Sequence, residues 1–158
     1  IHNMLQEYQK AIPLFEQAAQ QQINLSARIF SLAQLGQIYF KLHDYQRALP
    51  LLVQVAQQTD IPFAQAEARY WLGALYTEQK DYEKAIQQLT VSAQQTVNPN
   101  AQATAFLLLG NIHRILKNYD TARHYFNLAK EQTHHLEVQR RAEQELATLE
   151  VADFLGSF

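Results

Sequence analysis

Apolar residues recur along the chain with the three-to-four-residue spacing of amphipathic helices. The segment 25–42 shows this spacing clearly, and its predicted buried positions are Leu25, Ile29, Leu32, Leu35 and Tyr39. Short polar turns interrupt the pattern, and Asp44, Asp81 and Asn118 in three of them are good helix N-caps. Further helices are predicted over 3–22, 62–79, 82–95, 99–116, 119–133 and 136–153, with another opened by Tyr45.

The whole pattern repeats every 37 residues. The rows that keep this interval are Tyr8, Tyr45, Tyr82 and Tyr119; Ala11, Ala48, Ala85 and Ala122; Phe15, Leu52, Leu89 and Phe126; and Gly36, Gly73 and Gly110. Several rows in one phase indicate a helical repeat protein rather than a helical bundle with a coincidental period. A glycine inside a helix costs about 1 kcal/mol relative to alanine. Three glycines in phase therefore predict that a paired helix crosses each of them closely.

The repeated segments resemble a known family. They are LGQIYFKLHDYQRALPLL (35–52), LGALYTEQKDYEKAIQQL (72–89) and LGNIHRILKNYDTARHYF (109–126), and EYQKAIPLF (7–15) matches a second half-unit. This pattern is similar to the tetratricopeptide repeat, whose usual unit of about 34 residues is slightly shorter. The composition and the degenerate repeats favour a bacterial source.

The resemblance implies an all-α fold: a right-handed α-solenoid of antiparallel helix pairs, with about eight helices. The expected organisation is one domain over 1–158. Its parts are a half-unit (3–22), three units (25–59, 62–96 and 99–133), a capping helix (136–153) and an apolar tail (154–158). The capping helix is in phase with the first helices of the units, since Ala147 follows Gly110 by 37 residues.

The composition of the chain argues against several kinds of function. The net charge of −2 and the lack of a basic run argue against nucleic-acid binding. The chain has no cysteine, which excludes disulfides and thiolate metal sites, and no apolar run is long enough for a membrane span. The sequence begins in mid-repeat at Ile1 without a visible signal peptide, which favours a fragment or processed form. Both the cytoplasm and the periplasm stay open as compartments.

No motif predicts catalysis, a cofactor or a metal. His134 and His135 are adjacent, so their side chains diverge on a helix. His113 takes the repeat position of Tyr39 and Tyr76, which favours packing over acid–base chemistry. The chain carries no glycine-rich phosphate loop and no nucleophile elbow. We therefore predict that the protein is not an enzyme.

The resemblance also implies a partner-binding groove lined by the first helix of each unit. The residues predicted to contact a partner are Phe30, Gln34, Gln37, Phe40, Tyr70, Trp71, Asn111 and Arg114, and Glu67, Thr104, Leu107 and Leu108 share the inward face. Aromatic anchors beside neutral amides suit an apolar side chain of a partner peptide or helix. The alternative is that Trp71 and Leu108 only pack against neighbouring helices.

One subgroup of the family grips a C-terminal carboxylate with basic and amide side chains in this groove. The matching positions here are Ala33, Gln37, Trp71, Thr104 and Leu108. Only Gln37 is comparable in polarity, so this mode of binding is disfavoured.

The predicted function is a non-enzymatic scaffold that binds a protein or peptide partner. The alternatives are an oligomerisation or spacer segment, or a regulatory domain of a larger protein. The apolar positions of the first helix, Leu5, Tyr8, Ile12 and Phe15, recur at helical spacing without a preceding partner helix. They predict possible homo-oligomerisation through this helix by a two-fold contact.

Overall fold

The computed structural model describes residues 2–21, 24–131 and 134–156. Over these residues it contains eight α-helices and no strand. Their bounds are α1 His2–Ala19, α2 Leu25–Lys41, α3 Tyr45–Ala56, α4 Pro62–Glu78, α5 Tyr82–Gln94, α6 Pro99–Ile115, α7 Tyr119–Glu131 and α8 Leu136–Gly156. The prediction of an all-α fold with about eight helices is confirmed.

The helices form two unequal layers. Each helix packs against the next one along the chain. The even-numbered helices α2, α4, α6 and α8 also contact one another in order, whereas α1, α3, α5 and α7 show no such contacts within the described ranges. The even-numbered helices therefore lie closer together and form the inner layer of an α-solenoid, which is the predicted architecture.

Three identical turns reverse the chain within the units. His43, Lys80 and Lys117 adopt left-handed backbone conformations with φ of 59°, 60° and 62°. After α2, the amide of His43 donates to the Phe40 carbonyl at 2.9 Å, and that of Asp44 donates to the Tyr39 carbonyl at 2.8 Å. This is the Schellman pattern of helix termination, and the same bonds follow α4 and α6.

The N-cap predictions agree with the structure where side-chain bonds are described. The side chains of Asp44 and Asp81 accept hydrogen bonds from the amides of Arg47 and Lys84, at 3.1 and 3.3 Å. These caps start α3 and α5 directly after the left-handed residue. The turns thus hold each helix pair antiparallel with only three linking residues.

The three glycines in phase lie where paired helices cross. A Cβ atom at Gly36 would lie 2.6 Å from Cδ2 of Leu52, and one at Gly110 would lie 2.5 Å from Cε1 of Phe126. At Gly73 the same contact is made by Leu89, which like Leu52 and Phe126 is fully buried. The prediction that glycine permits a close crossing is confirmed.

The C-terminal boundary prediction is wrong. The capping helix was predicted to end at 153, with an apolar tail over 154–158, but α8 continues to Gly156. Asp153, at the predicted end, forms an ion pair with Arg123 of α7. Residues 157 and 158 of the predicted tail lie outside the described residues.

Candidate functional site

The eight residues predicted to contact a partner all lie on even-numbered helices. Phe30, Gln34, Gln37 and Phe40 are on α2, Tyr70 and Trp71 on α4, and Asn111 and Arg114 on α6. Phe30 is exposed, and the other seven are half-buried. Their side chains enter different local environments, so they do not all belong to one site.

Aromatic rings connect α2 and α4 around Trp71. Its ring centroid lies 5.2 Å from that of Phe40 and 5.0 Å from that of Tyr70. The ammonium of Lys41, at the end of α2, lies 5.7 Å from the centroid of Trp71. Such distances allow a favourable cation–π interaction. Trp71 therefore packs between helices and also presents part of its surface on the inner layer.

A cavity of about 410 Å³ opens between α4 and α6. We call it the α4–α6 pocket; its lining residues are Phe63, Glu67, Tyr70, Trp71, Asn98, Asn100, Ala101 and Thr104. Asn98 forms one wall, and two hydrogen bonds fix its side-chain amide. Its side chain caps α6 by accepting from the amide of Ala101 at 3.1 Å, and donates to the carbonyl of Phe63 at 3.2 Å.

A second cavity of about 290 Å³ lies beside the first, toward α8. This α6–α8 pocket is lined by Tyr70, Thr104, Leu107, Leu108, Asn111, His135, Glu137, Val138 and Arg141. Tyr70 and Thr104 line both cavities, so the two pockets adjoin each other across α4, α6 and α8. We call the combined surface the inner groove.

The inner groove contains only part of the predicted contact set. Tyr70, Trp71 and Asn111 line it. Arg114 is instead engaged inside the chain: its Nε lies 3.4 Å from Oε2 of Glu145 on α8, and its Nη2 donates to Oδ1 of Asn111 at 3.4 Å. The half-buried α2 residues Gln34, Gln37 and Phe40 lie outside both pockets.

Sequence reasoning missed Phe63 as a groove residue. Phe63 is exposed, lines the α4–α6 pocket and lies with its ring centroid 6.3 Å from that of Phe30. Phe63 precedes Glu67 by one helical turn, so extending the inward face toward the start of α4 would have found it. Val138 and Arg141 were also missed, because α8 was treated only as a capping helix.

Two ionisable side chains of the groove have shifted pKa values. Burial raises the pKa of the Glu67 carboxyl, although the Trp71 indole and the Lys41 ammonium favour its charged form. Burial also raises the pKa of the Tyr70 hydroxyl, and the Arg141 guanidinium and the Thr104 hydroxyl offset part of this. The groove therefore holds a carboxylate among aromatic side chains, and neighbouring groups offset only part of the cost of burying its charge.

The structure describes two further properties that bear on function. Within residues 2–21, 24–131 and 134–156, no three His, Asp or Glu side chains come together as a possible metal site. None of the helices described here is sufficiently long and apolar to cross a lipid bilayer.

His113 stacks on Tyr125 with centroids 5.6 Å apart, and burial lowers its pKa. It fills the packing position predicted for it.

The raised pKa of Glu67 gives a pH-dependent stability prediction. Since the folded chain holds the Glu67 proton more tightly than the unfolded chain, this residue contributes less stability as pH rises through its folded pKa. Glu67→Gln should therefore be more stable than the parent at neutral pH, and the difference should disappear at acidic pH. Chemical unfolding followed by circular dichroism at several pH values measures this difference. A constant difference at every pH would contradict the assignment.

Comparison with known proteins identifies the repeat. Two family models, each described as tetratricopeptide repeat, match residues 33–96 and 103–132, which together make up more than half of the chain. A search of curated proteins finds no match. The matched segments contain the three glycine crossings, the three Schellman turns and the whole of α4. The chain therefore belongs to the tetratricopeptide repeat family.

Proposed function

We propose that this chain is a non-enzymatic scaffold that binds a peptide or helix of a partner protein in the inner groove. Tetratricopeptide repeats generally mediate protein–protein interactions. The observation that supports this site is that the α4–α6 and α6–α8 pockets adjoin each other and share Tyr70 and Thr104. Two adjoining pockets lined by aromatic and polar groups suit an elongated ligand better than a compact one.

The lining residues favour a particular partner chemistry. Phe63, Tyr70 and Trp71 offer apolar surface in the α4–α6 pocket, where an aliphatic or aromatic side chain would displace water. Glu67 lies in the same pocket with a partly desolvated carboxylate. A basic group placed next to the apolar anchor would compensate this charge. The proposed ligand therefore combines an apolar anchor residue with a neighbouring lysine or arginine.

Peptides selected from a random display library on the intact chain would test this proposal. Trp71 is the only tryptophan, so its fluorescence reports directly on occupation of the α4–α6 pocket. Trp71→Ala should weaken binding of the selected peptides by roughly 30-fold or more, as expected for a central anchor. Glu67→Gln should reduce the affinity of peptides that contain a basic residue and leave neutral peptides largely unaffected.

The control variant is Tyr119→Ala, since Tyr119 is an exposed aromatic residue of α7 that lies outside the inner groove. It should bind the selected peptides like the parent chain. Circular dichroism establishes that all variants keep their helical content. Selected peptides that bind equally well to the parent and to Trp71→Ala would exclude the inner groove as the site.

A further inference from the structure

One repeat position changes its chemistry from helix to helix along the inner layer. Phe30 of α2, Glu67 of α4, Thr104 of α6 and Arg141 of α8 follow one another at intervals of 37 residues. Phe30 and Arg141 are exposed, whereas Glu67 and Thr104 are half-buried. The repeat therefore arranges an aromatic ring, an acid, a hydroxyl group and a base in this order along the inner layer.

Three of these four side chains line the inner groove. Glu67 lines the α4–α6 pocket, Arg141 lines the α6–α8 pocket, and Thr104 lines both. The acid and the base therefore lie in different pockets, and the neutral Thr104 lies at the boundary between them.

The two acidic residues nearest to Arg141 on its own helix are engaged by other cations. Glu137 and Glu145 lie one helical turn before and after Arg141 on α8. Glu137 pairs with Arg140 at 2.6 Å, and Glu145 pairs with Arg114 of α6 at 3.4 Å. Within the part of the chain that the structure describes, Arg141 forms no ion pair. Its guanidinium is therefore available to a ligand.

The α6–α8 pocket offers several hydrogen-bond donors beside this guanidinium. The hydroxyl groups of Tyr70 and Thr104 and the amide of Asn111 line the same pocket as Arg141. Arg141 also favours the ionised form of the Tyr70 hydroxyl, whose pKa burial raises. A carboxylate in this pocket would meet a cation together with hydroxyl and amide donors, and such charge-assisted hydrogen bonds are the strong ones.

Building on the function proposed above, we propose that the inner groove selects an extended partner segment that carries a basic and an acidic residue at a fixed separation. The basic residue, next to the apolar anchor, lies beside Glu67 in the α4–α6 pocket. The acidic residue lies beside Arg141 in the α6–α8 pocket. The two charges of the groove thus determine which end of the segment lies over α4 and which lies over α8.

Helix packing gives the separation of the two charges. The helices α4, α6 and α8 contact one another in order. Glu67 and Arg141 share a repeat position on α4 and α8, and packed helices lie 8–10 Å apart, so the two residues are separated by roughly 16–20 Å. An extended chain rises about 3.3 Å per residue, so the acidic residue of the partner lies about five or six positions from the basic one.

The peptide selection described above tests this separation. Peptides selected on the parent chain should carry an aspartate or glutamate about five or six positions from the basic residue. A selection on Arg141→Gln should retain the apolar and basic residues and lose the acidic one. The matched control is Lys117→Gln, which removes one positive charge at an exposed position outside the inner groove and should give the parent pattern.

A double-mutant cycle tests the contact with Arg141. Replacing the acidic residue of a selected peptide by glutamine should weaken binding to the parent by about twofold to fivefold, as for an exposed charge pair. The same replacement should leave binding to Arg141→Gln unchanged. Arg141→Glu should prefer a peptide with lysine at this position over one with glutamate, a reversal that a packing role of Arg141 would not produce. Circular dichroism establishes that the variants keep their helical content.

The dependence of binding on Trp71 separates this proposal from the function on which it rests. Trp71-dependent peptides without an acidic residue at this separation would overturn the proposed charge arrangement and leave the inner groove as the binding site. Equal weakening of the acidic and the glutamine peptide by Arg141→Gln would do the same. Peptides that bind equally well to Trp71→Ala would exclude the inner groove, and the charge arrangement with it.

Discussion

Replacing Gly73 with leucine should lower the free energy of unfolding by roughly 3 kcal/mol or more. Even the Cβ atom of the new side chain would lie 2.6 Å from Cδ2 of Leu89, inside van der Waals contact. Leu89 is fully buried among residues of α4 to α6, so displacing its side chain costs free energy because the surrounding core is close-packed. The gain in helix propensity of about 1 kcal/mol is smaller than this overpacking cost. Chemical denaturation followed by circular dichroism measures the change.

Gly156→Leu is the matched control for this substitution. Gly156 also lies in a helix, but a Cβ atom there would meet nothing within 4 Å. Its effect should therefore stay within about 0.5 kcal/mol, which is usual for surface substitutions. The double variant Gly73→Ala/Leu89→Ala should lose less stability than the two single variants lose together, because the methyl group at position 73 fills part of the cavity that Leu89→Ala leaves. Strict additivity would show that the crossing at Gly73 is not the cause.

The 37-residue period made most of the fold predictable. It predicted the glycine crossings at Gly36, Gly73 and Gly110, because a packing constraint explains a helix-weakening residue that recurs at a fixed interval. Proline at the first helical position also marked the starts of α4 and α6, at Pro62 and Pro99. Local signals of this kind depend on a few neighbouring residues, so they can be read directly from the sequence.

Two features of the fold were not predicted in this way. The positions of the turns within units were expected, but the left-handed conformation of His43, Lys80 and Lys117 was not, because these positions carry no glycine. The continuation of α8 to Gly156 was not predicted either, because the apolar residues after Asp153 show no clear helical pattern.

The groove was predictable only where helical phase alone determines which way a side chain faces. Helical phase identified Tyr70 and Trp71 as inward-facing, and they line the α4–α6 pocket. Phase could not show that Arg114 is engaged by Glu145, because that contact depends on how α8 packs beside α6. Side-chain direction follows from the period, but the partners of each side chain follow from the packing of neighbouring units.

Replacing Phe126 with alanine should destabilise the chain by about 3–5 kcal/mol. Phe126 is 0% exposed and lies against Gly110, in the cluster that joins α5, α6, α7 and α8. Removing the ring leaves a cavity that the glycine backbone on the opposite side cannot fill. Phe126→Leu should cost much less, since Leu52 and Leu89 occupy the same repeat position. Urea denaturation of both variants against the parent measures the two costs.

The repeat itself supplies the control for this prediction. Phe15 occupies the same repeat position as Phe126 and packs against the core cluster of α2 to α4, but it is only half-buried. Within the described residues α1 contacts one even-numbered helix, α2, whereas α7 contacts both α6 and α8. Phe15→Ala removes the same atoms from a site that solvent already reaches, so it should cost clearly less than Phe126→Ala. Urea denaturation of the two variants against the parent compares the two costs. Equal costs would contradict burial as the cause of the difference.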